Sequence, residues 1–271
     1  MTDYSALLYS AIITLLKAGK KISEIYSRIS SAKINYKSDN SPLTEADIAS
    51  NKIIQNELSF FDMPVLSEES KQMPFEIRKK WEYLWIVDPL DGTKEFIKKN
   101  DEFTVNISLI KGNEPVLGVI YAPVLRTLYF GLKNMGSFKS TDIDLKNTNL
   151  TLEEIINISD KLPVIKNKDN FTIVASKTHL SKETEEYINN LKLNYGDIDL
   201  QSKGSSLKLC LIAEGTADLY PRLSPTMEWD IAAGDAIIRA SGGKVINYFT
   251  GKNLLYNKED LLNPWFIAEI N

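Results

Sequence analysis

Two aspartates, Asp88 and Asp91, follow directly on the apolar run 84–87 (LWIV), with Pro89 and Leu90 between them and Gly92-Thr93 after them. Carboxylates crowded at one strand end repel each other and hold protons more tightly unless a cation sits between them. The donors in this stretch are all oxygen, with no cysteine or histidine, which favours a hard cation such as Mg²⁺ over zinc. The backbone carbonyl of Leu90 adds another oxygen. Asp-x-x-Asp-Gly is also a common turn in which the carboxylates bond their own backbone, and the residues alone leave that reading open. The spacing is one residue longer than the Asp-x-Asp-Gly-Thr of phosphatases with an aspartate nucleophile, so that mechanism does not fit.

Other acidic residues fall where elements end or begin. Glu68 follows the short apolar run 64–66 (PVL), so a second strand end would deliver a carboxylate, although paired Glu residues are usually solvated surface. Asp230 opens the pattern WDIAAGDA, where it would cap a helix, and the small residues after it allow a close approach to another element. Asp47 ends Thr44-Glu45-Ala46-Asp47, a variant of the capping box.

The elements needed to position these groups are legible in outline. Apolar residues at 7, 8, 11, 12, 15 and 16 give an amphipathic helix over about 4–29, which reads as mature structure and not as a targeting segment. Residues 33–37 alternate like a strand, 39–42 are turn chemistry, and a second helix runs from Thr44 to about 60. A short strand at 63–66 and a partly helical 71–81 lead into the strand before Asp88. The runs 103–110, 116–121, 126–130 and 134–139 suggest an antiparallel meander. Residues 140–170 are polar, with a weak helix near 151–158, and divide the chain into an N-terminal lobe, 1–150, and a C-terminal lobe, 151–271. In the second lobe, strands are expected at 171–175, 198–201, 217–220, 244–247 and 265–269, and helices at 181–193, 204–215 and 229–240. Such mixing is layered α/β (an α+β sandwich), with Trp85, Ile86, Val87, Leu207, Leu209, Cys210, Leu211 and Ile212 in the core and Tyr121 and Tyr129 as packing residues.

Composition narrows the function classes. The chain of 271 residues is 43% hydrophobic and 25% charged, and its formal net charge is −4 with both signs interspersed, which argues against a nucleic-acid-coating surface. One cysteine and one histidine, Cys210 and His179, exclude an internal disulfide and a Cys/His zinc site, and point to a reducing compartment. No run approaches the roughly 20 apolar residues of a membrane span.

Taken together, NSPLTEAD, VLSEES, VDPLDGTKEFIKKNDEFTVNISLI, LGVIYAPV, GSSLKLCLIAEG, LYPR and WDIAAGDA resemble the inositol monophosphatase superfamily, and within it the CysQ-type 3′(2′),5′-bisphosphate nucleotidases. The resemblance runs from about residue 37 to the C-terminus, interrupted mainly at 135–170. It implies the inositol monophosphatase/fructose-1,6-bisphosphatase-like fold, in which helix and sheet layers alternate. It implies two or three Mg²⁺ ions, the first on Glu68, Asp88 and the Leu90 carbonyl, the second on Asp88, Asp91 and Asp230. Asp47, Glu68 and Thr93 would orient and deprotonate an attacking water, and Gly92 and Thr93 would present peptide N–H groups to a phosphate if 94–98 is helical. The implied substrate is a small nucleotide, adenosine 3′,5′-bisphosphate or its sulfated form, which places the chain in sulfur metabolism. Ser205, Ser206, Lys208 and Arg222 would hold the phosphate that is not cleaved, and His179, in Ser-x-x-His, would touch the nucleotide. The resemblance also implies inhibition by lithium and a cytoplasmic enzyme, with peripheral association at the inner membrane and the oligomeric state left open. The nearest alternative is an inositol or other sugar phosphatase; another is a catalytically silent nucleotide- or metal-binding member.

Overall fold

The computed structural model describes residues 2–28, 35–36, 42–144, 146, 149–164, 170–175 and 181–270. The N-terminal amphipathic pattern forms helix α1 (Tyr4–Arg28), which buries Leu7, Leu8, Ala11, Ile12, Leu15 and Leu16 on one stripe. Strand β1 (Asn35–Tyr36) pairs antiparallel with β2 (Pro42–Leu43). Helix α2 (Glu45–Leu58) starts at a true capping box: the Thr44 hydroxyl accepts from the Ala46 N–H, and the Asp47 carboxylate accepts from the Thr44 N–H at 2.8 Å. Its end falls short of residue 60 because the chain tightens into a 3₁₀ turn, Ser59–Phe61.

The first sheet is built from β3 (Val65–Ser67), β4 (Tyr83–Asp91), β5 (Thr104–Lys111), β6 (Glu114–Ala122), β7 (Thr127–Leu132), β8 (Gly136–Ser140) and β9 (Asp160–Leu162), in that spatial order. Strand β3 lies parallel to β4, and every later pair is antiparallel; from β5 to β8 this is the meander that the pattern predicts. Short helices intervene: α3 (Phe75–Arg78), α4 (Thr93–Lys98) and α5 (Leu152–Asn157). Strand β9 went unpredicted because Asp160 and Lys161 are exposed and only Leu162 is buried, which leaves no alternation to read. The change from the first sheet to the second therefore falls after residue 162.

The second sheet joins β10 (Phe171–Val174), β11 (Ile198–Gln201), β12 (Leu219–Arg222), β13 (Lys244–Asn247) and β14 (Phe266–Glu269) in the order β11-β10-β12-β14-β13. Helices α6 (Lys182–Tyr195), α7 (Leu207–Glu214) and α8 (Glu228–Ala240) connect its strands. Strand β12 runs later than the expected 217–220, so Arg222 ends a strand instead of following one. Helix α7 starts at Leu207 and not at Gly204, because Ser205 holds a φ of +56°, a left-handed conformation that no helical residue adopts.

Alternation along the strands stacks these layers. Trp85, Val87, Val105, Ile107, Leu109, Val119, Tyr121 and Phe130 pack with α1 and α2, whereas Leu84, Ile86, Ile120, Ala122 and Tyr129 pack with α7, α8 and the second sheet. A third cluster, with Ile173, Ile188, Leu219 and Ile267, joins the far face of the second sheet to α6. Helix, sheet, helix, sheet and helix thus alternate. Both faces of the first sheet are buried, which is why its strands read as near-continuous apolar runs despite being antiparallel.

Helix α8 lies directly on the meander. A Cβ at Gly118 would collide with the Ala233 carbonyl, and Gly234 in the same helix leaves no room for a Cβ beside Leu209. The small residues of this helix therefore serve a close approach on two sides. Gly118→Ala should destabilise the fold by about 1–3 kcal/mol, the cost of overpacking against backbone that must shift. Chemical denaturation measures it, and a loss within 0.5 kcal/mol (roughly the surface-substitution range) would contradict the packing.

Candidate active site

In a regular strand, residues three apart face opposite sides of the sheet. Asp88 and Asp91 are three apart, yet their partners on β5 are Asn106 and Thr104, which are two apart. The extra residue on β4 is a bulge at Pro89-Leu90, and it brings both aspartates round to one side. The buried Ser50 hydroxyl holds the bulge by donating to the Pro89 carbonyl at 2.7 Å. Gly92 then takes a φ of +92° as the cap of α4, the conformation this turn requires.

Glu68 arrives from the end of β3, its N–H donating to the Val87 carbonyl at 3.2 Å. Asp230 arrives from the first turn of α8, where its carboxylate accepts from the Met227 N–H at 2.8 Å, the capping role read from the sequence. Asp88 is buried, and its proton affinity is raised well above the ordinary aspartate range, by burial first and then by the charges of Glu68, Asp91 and Asp230. Asp230 is pushed up to about 8 by burial and by Asp91 and Glu68, with Arg222 pulling the other way. Four carboxylates from three elements therefore feel one another in one place. Among the described residues, no three acidic, His or Cys side chains are gathered as a finished metal cage. The mutual repulsion is the more informative observation: it marks the spot where a cation would lower the energy of all four, and an all-oxygen donor set fits Mg²⁺.

An acid with a raised folded pKa withdraws no stability while folded and unfolded chains both hold the proton, and withdraws its full amount once both have lost it. In metal-stripped protein, Asp230 therefore lowers stability as the pH climbs from about 4 to about 8. Asp230→Asn should flatten that slope, as thermal melts in chelator across this range would record; an unchanged slope would contradict the shift.

Beside the carboxylates stands a hydroxyl–carboxylate pair. The Thr93 hydroxyl lies 3.2 Å from the Asp47 carboxylate and 3.4 Å from the Leu90 carbonyl. Asp47 is buried and also receives the Thr44 hydroxyl at 2.5 Å, so it caps α2 and faces Thr93 at once.

The site opens into a cleft of about 270 Å³ lined by Asp91, Gly92, Ser205, Lys208, Arg222 and Asp230 among others. Three of the expected substrate contacts line this cleft and also have partners within the protein. Lys208 is buried, and its ammonium donates to the carbonyls of Lys203 and Ser205 above the Tyr220 ring, so much of its hydrogen-bonding capacity holds the 203–206 turn. The Ser206 hydroxyl turns inward onto Thr104 and Asn106. The Ser205 hydroxyl donates to Asp91 at 2.7 Å. Arg222 does face the cleft: its Nε is buried without a partner, while Nη2 makes one long contact to the Pro225 carbonyl. His179 lies outside the described residues.

Sequence reasoning missed Thr104 and Asn106. Their signal was present: Thr104, Asn106 and Ser108 alternate with Val105, Ile107 and Leu109, a polar face on an otherwise apolar strand.

The inositol monophosphatase family model matches residues 3–268. The chain is 42% identical to the 3′(2′),5′-bisphosphate nucleotidase CysQ of Salmonella typhimurium and 41% identical to that of Escherichia coli K12, each over 93% of this chain and 95% of the relative. Among solved structures, CysQ from Bacteroides thetaiotaomicron superposes with a TM-score of 0.91 at 50% identity, covering 98% of this chain and 97% of that one. With its layered fold and its four convergent carboxylates, this chain belongs to the inositol monophosphatase family.

Proposed function

We propose that the chain is a Mg²⁺-dependent phosphomonoesterase that removes the 3′-phosphate from adenosine 3′,5′-bisphosphate, releasing AMP, and that acts also on the sulfated form of that nucleotide. The observation that carries the reading is the mutual electrostatic pressure of Glu68, Asp88, Asp91 and Asp230 beside the Thr93–Asp47 pair. Glu68, Asp88 and the Leu90 carbonyl would hold one cation, and Asp88, Asp91 and Asp230 a second. When bound, Mg²⁺ supplies charge neutralisation for the phosphate and a more acidic water. Thr93 would fix the direction of proton transfer: its hydroxyl donates to Asp47, and it would accept one proton from the attacking water as its own passes to Asp47, with Glu68 orienting that water. The Gly92 and Thr93 peptide N–H groups, at the start of α4, would bind oxygens of the scissile phosphate. No cysteine, serine or histidine nucleophile is involved.

The substrate assignment is supported by the cleft and by the bisphosphate nucleotidase activity of the CysQ relatives. Arg222, a guanidinium lining the cleft, would be the main contact for the second phosphate, and Lys208 would support it mainly by shaping the turn. The single cysteine, Cys210, is buried and unpaired, which accords with a cytoplasmic location. Among the described residues, no helix is long and apolar enough to cross a membrane, and nothing argues for peripheral association at the inner membrane.

Phosphate release from a substrate panel with Mg²⁺, with and without Li⁺, tests the reading. Adenosine 3′,5′-bisphosphate should be preferred and lithium should inhibit; faster hydrolysis of inositol 1-phosphate would overturn the substrate. Label from ¹⁸O-water should enter phosphate with inversion, and a trapped phosphoenzyme would overturn direct attack.

A further inference from the structure

Strand β5 and the turn before α7 together place a line of hydroxyls behind Asp91. The Ser205 hydroxyl donates to Asp91 Oδ2 at 2.7 Å; Thr104 Oγ1 lies 2.5 Å from Ser205 Oγ and 2.7 Å from Ser206 Oγ; and Asn106 Oδ1 lies 2.9 Å from Ser206 Oγ and 3.1 Å from Thr104 Oγ1. Thr104, Ser206 and Asn106 are buried, so these groups must satisfy one another.

Each hydroxyl owns one proton, which fixes the direction of the line. An ionised carboxylate only accepts, so the Ser205 proton points at Asp91. The Ser205–Thr104 contact then needs the Thr104 proton, and the Thr104–Ser206 contact needs that of Ser206. The line therefore takes the Asn106 amide reversed, so that its Nδ2, which is otherwise buried without a partner, donates to the Ser206 and Thr104 hydroxyls, neither of which has a proton left for an amide oxygen. Donors aligned head to tail polarise one another and strengthen the last bond. That last bond is made by a residue in a costly backbone conformation, the φ of +56° at Ser205, which persists only where surrounding contacts impose it.

We propose that Thr104 is a positioning residue for Asp91: through Ser205 it fixes Asp91 Oδ2, so that Oδ1 would be the oxygen left to hold a cation. The same line ties β5 in the first sheet to the turn before α7, so the geometry of Asp91 depends on how α7 is seated. This inference rests on the reading of Asp91 as a cation ligand.

Calorimetric titration of MgCl₂ into metal-stripped protein, combined with thermal melting in chelator, tests both. Thr104→Val keeps the shape and removes the hydroxyl. It should weaken Mg²⁺ binding roughly tenfold to a hundredfold, the usual cost of losing a partner behind a metal ligand. The Mg²⁺ concentration giving half-maximal phosphate release should rise in parallel, with turnover recovering at saturating Mg²⁺. Thr104→Ser should restore binding, which a purely space-filling role would not predict. If Thr104→Val does not fold, Ser206→Ala, which breaks the far end of the line, carries the test: weakened binding supports the relay and unchanged binding overturns it. Asp91→Asn separates the two claims. If it abolishes one site's Mg²⁺ signal while Thr104→Val binds as wild type, the relay is wrong and the ligand reading stands. If Asp91→Asn binds Mg²⁺ normally, the ligand reading falls and takes the relay with it.

Discussion

Asp88→Asn is expected to abolish Mg²⁺-dependent phosphate release and, in the same protein, to raise the melting temperature of the metal-stripped chain near pH 8. Asp88 is the most buried of the four carboxylates and is opposed by the other three, so its charge costs stability whenever no cation offsets it. Asparagine is nearly the same size, and its Oδ1 can keep the 3.1 Å bond from the Leu90 N–H that Asp88 accepts. The gain without metal comes from removing a charge that burial and the neighbouring carboxylates oppose. It should fade as the pH is lowered and the native aspartate takes up its proton. The loss of activity should exceed about a hundredfold, because losing partners one step removed from a metal already costs up to that much. Parallel melts and phosphate assays check both halves. A variant that is less stable without metal would mean that Asp88 is held by favourable contacts and not against repulsion.

The second large effect is expected at Thr93. Thr93→Val should lower kcat by about 10²–10⁴-fold, the range that general acid–base catalysis contributes, while leaving Mg²⁺ affinity and the melting temperature close to wild type. Its hydroxyl meets Asp47 and the Leu90 carbonyl and is only partly buried, so removing it orphans little. Asp47→Asn should match the loss in kcat and add a stability cost of up to about 1 kcal/mol, because Asp47 is also the reciprocal half of the α2 capping box. The contrast between the two variants separates proton transfer from helix capping. A Thr93→Val enzyme whose defect vanished at high Mg²⁺ would instead assign Thr93 to holding the Leu90 carbonyl.

Legibility differed between the two halves of the site. Asp47, Asp88, Asp91, Thr93 and Asp230 stand beside local signals, namely a capping box, a strand running into a Gly turn, and an acid in the first turn of a helix. These depend on neighbours a few residues away, and the structure forms each of them. The strand runs were legible for the same reason, since alternation and turn residues are short-range. Strand β9 was not, because three residues with one buried side chain carry no period.

Residue types point to the chemistry, an all-oxygen donor set for a hard cation, and apolar periodicity points to the layered fold, whose faces must stack. Only the tertiary structure decided what those groups face. The bulge at Pro89-Leu90 turns Asp88 and Asp91 to the same side, because two strands must keep register while one carries an extra residue. Ser205 and Lys208, which read as groups for a ligand, bond Asp91 and the carbonyls of Lys203 and Ser205, while Arg222 lines the cleft. A polar side chain's type says what it can bond. Which partner it takes is settled by segments more than a hundred residues apart in the chain, such as Thr104 and Ser206, packed where water cannot substitute.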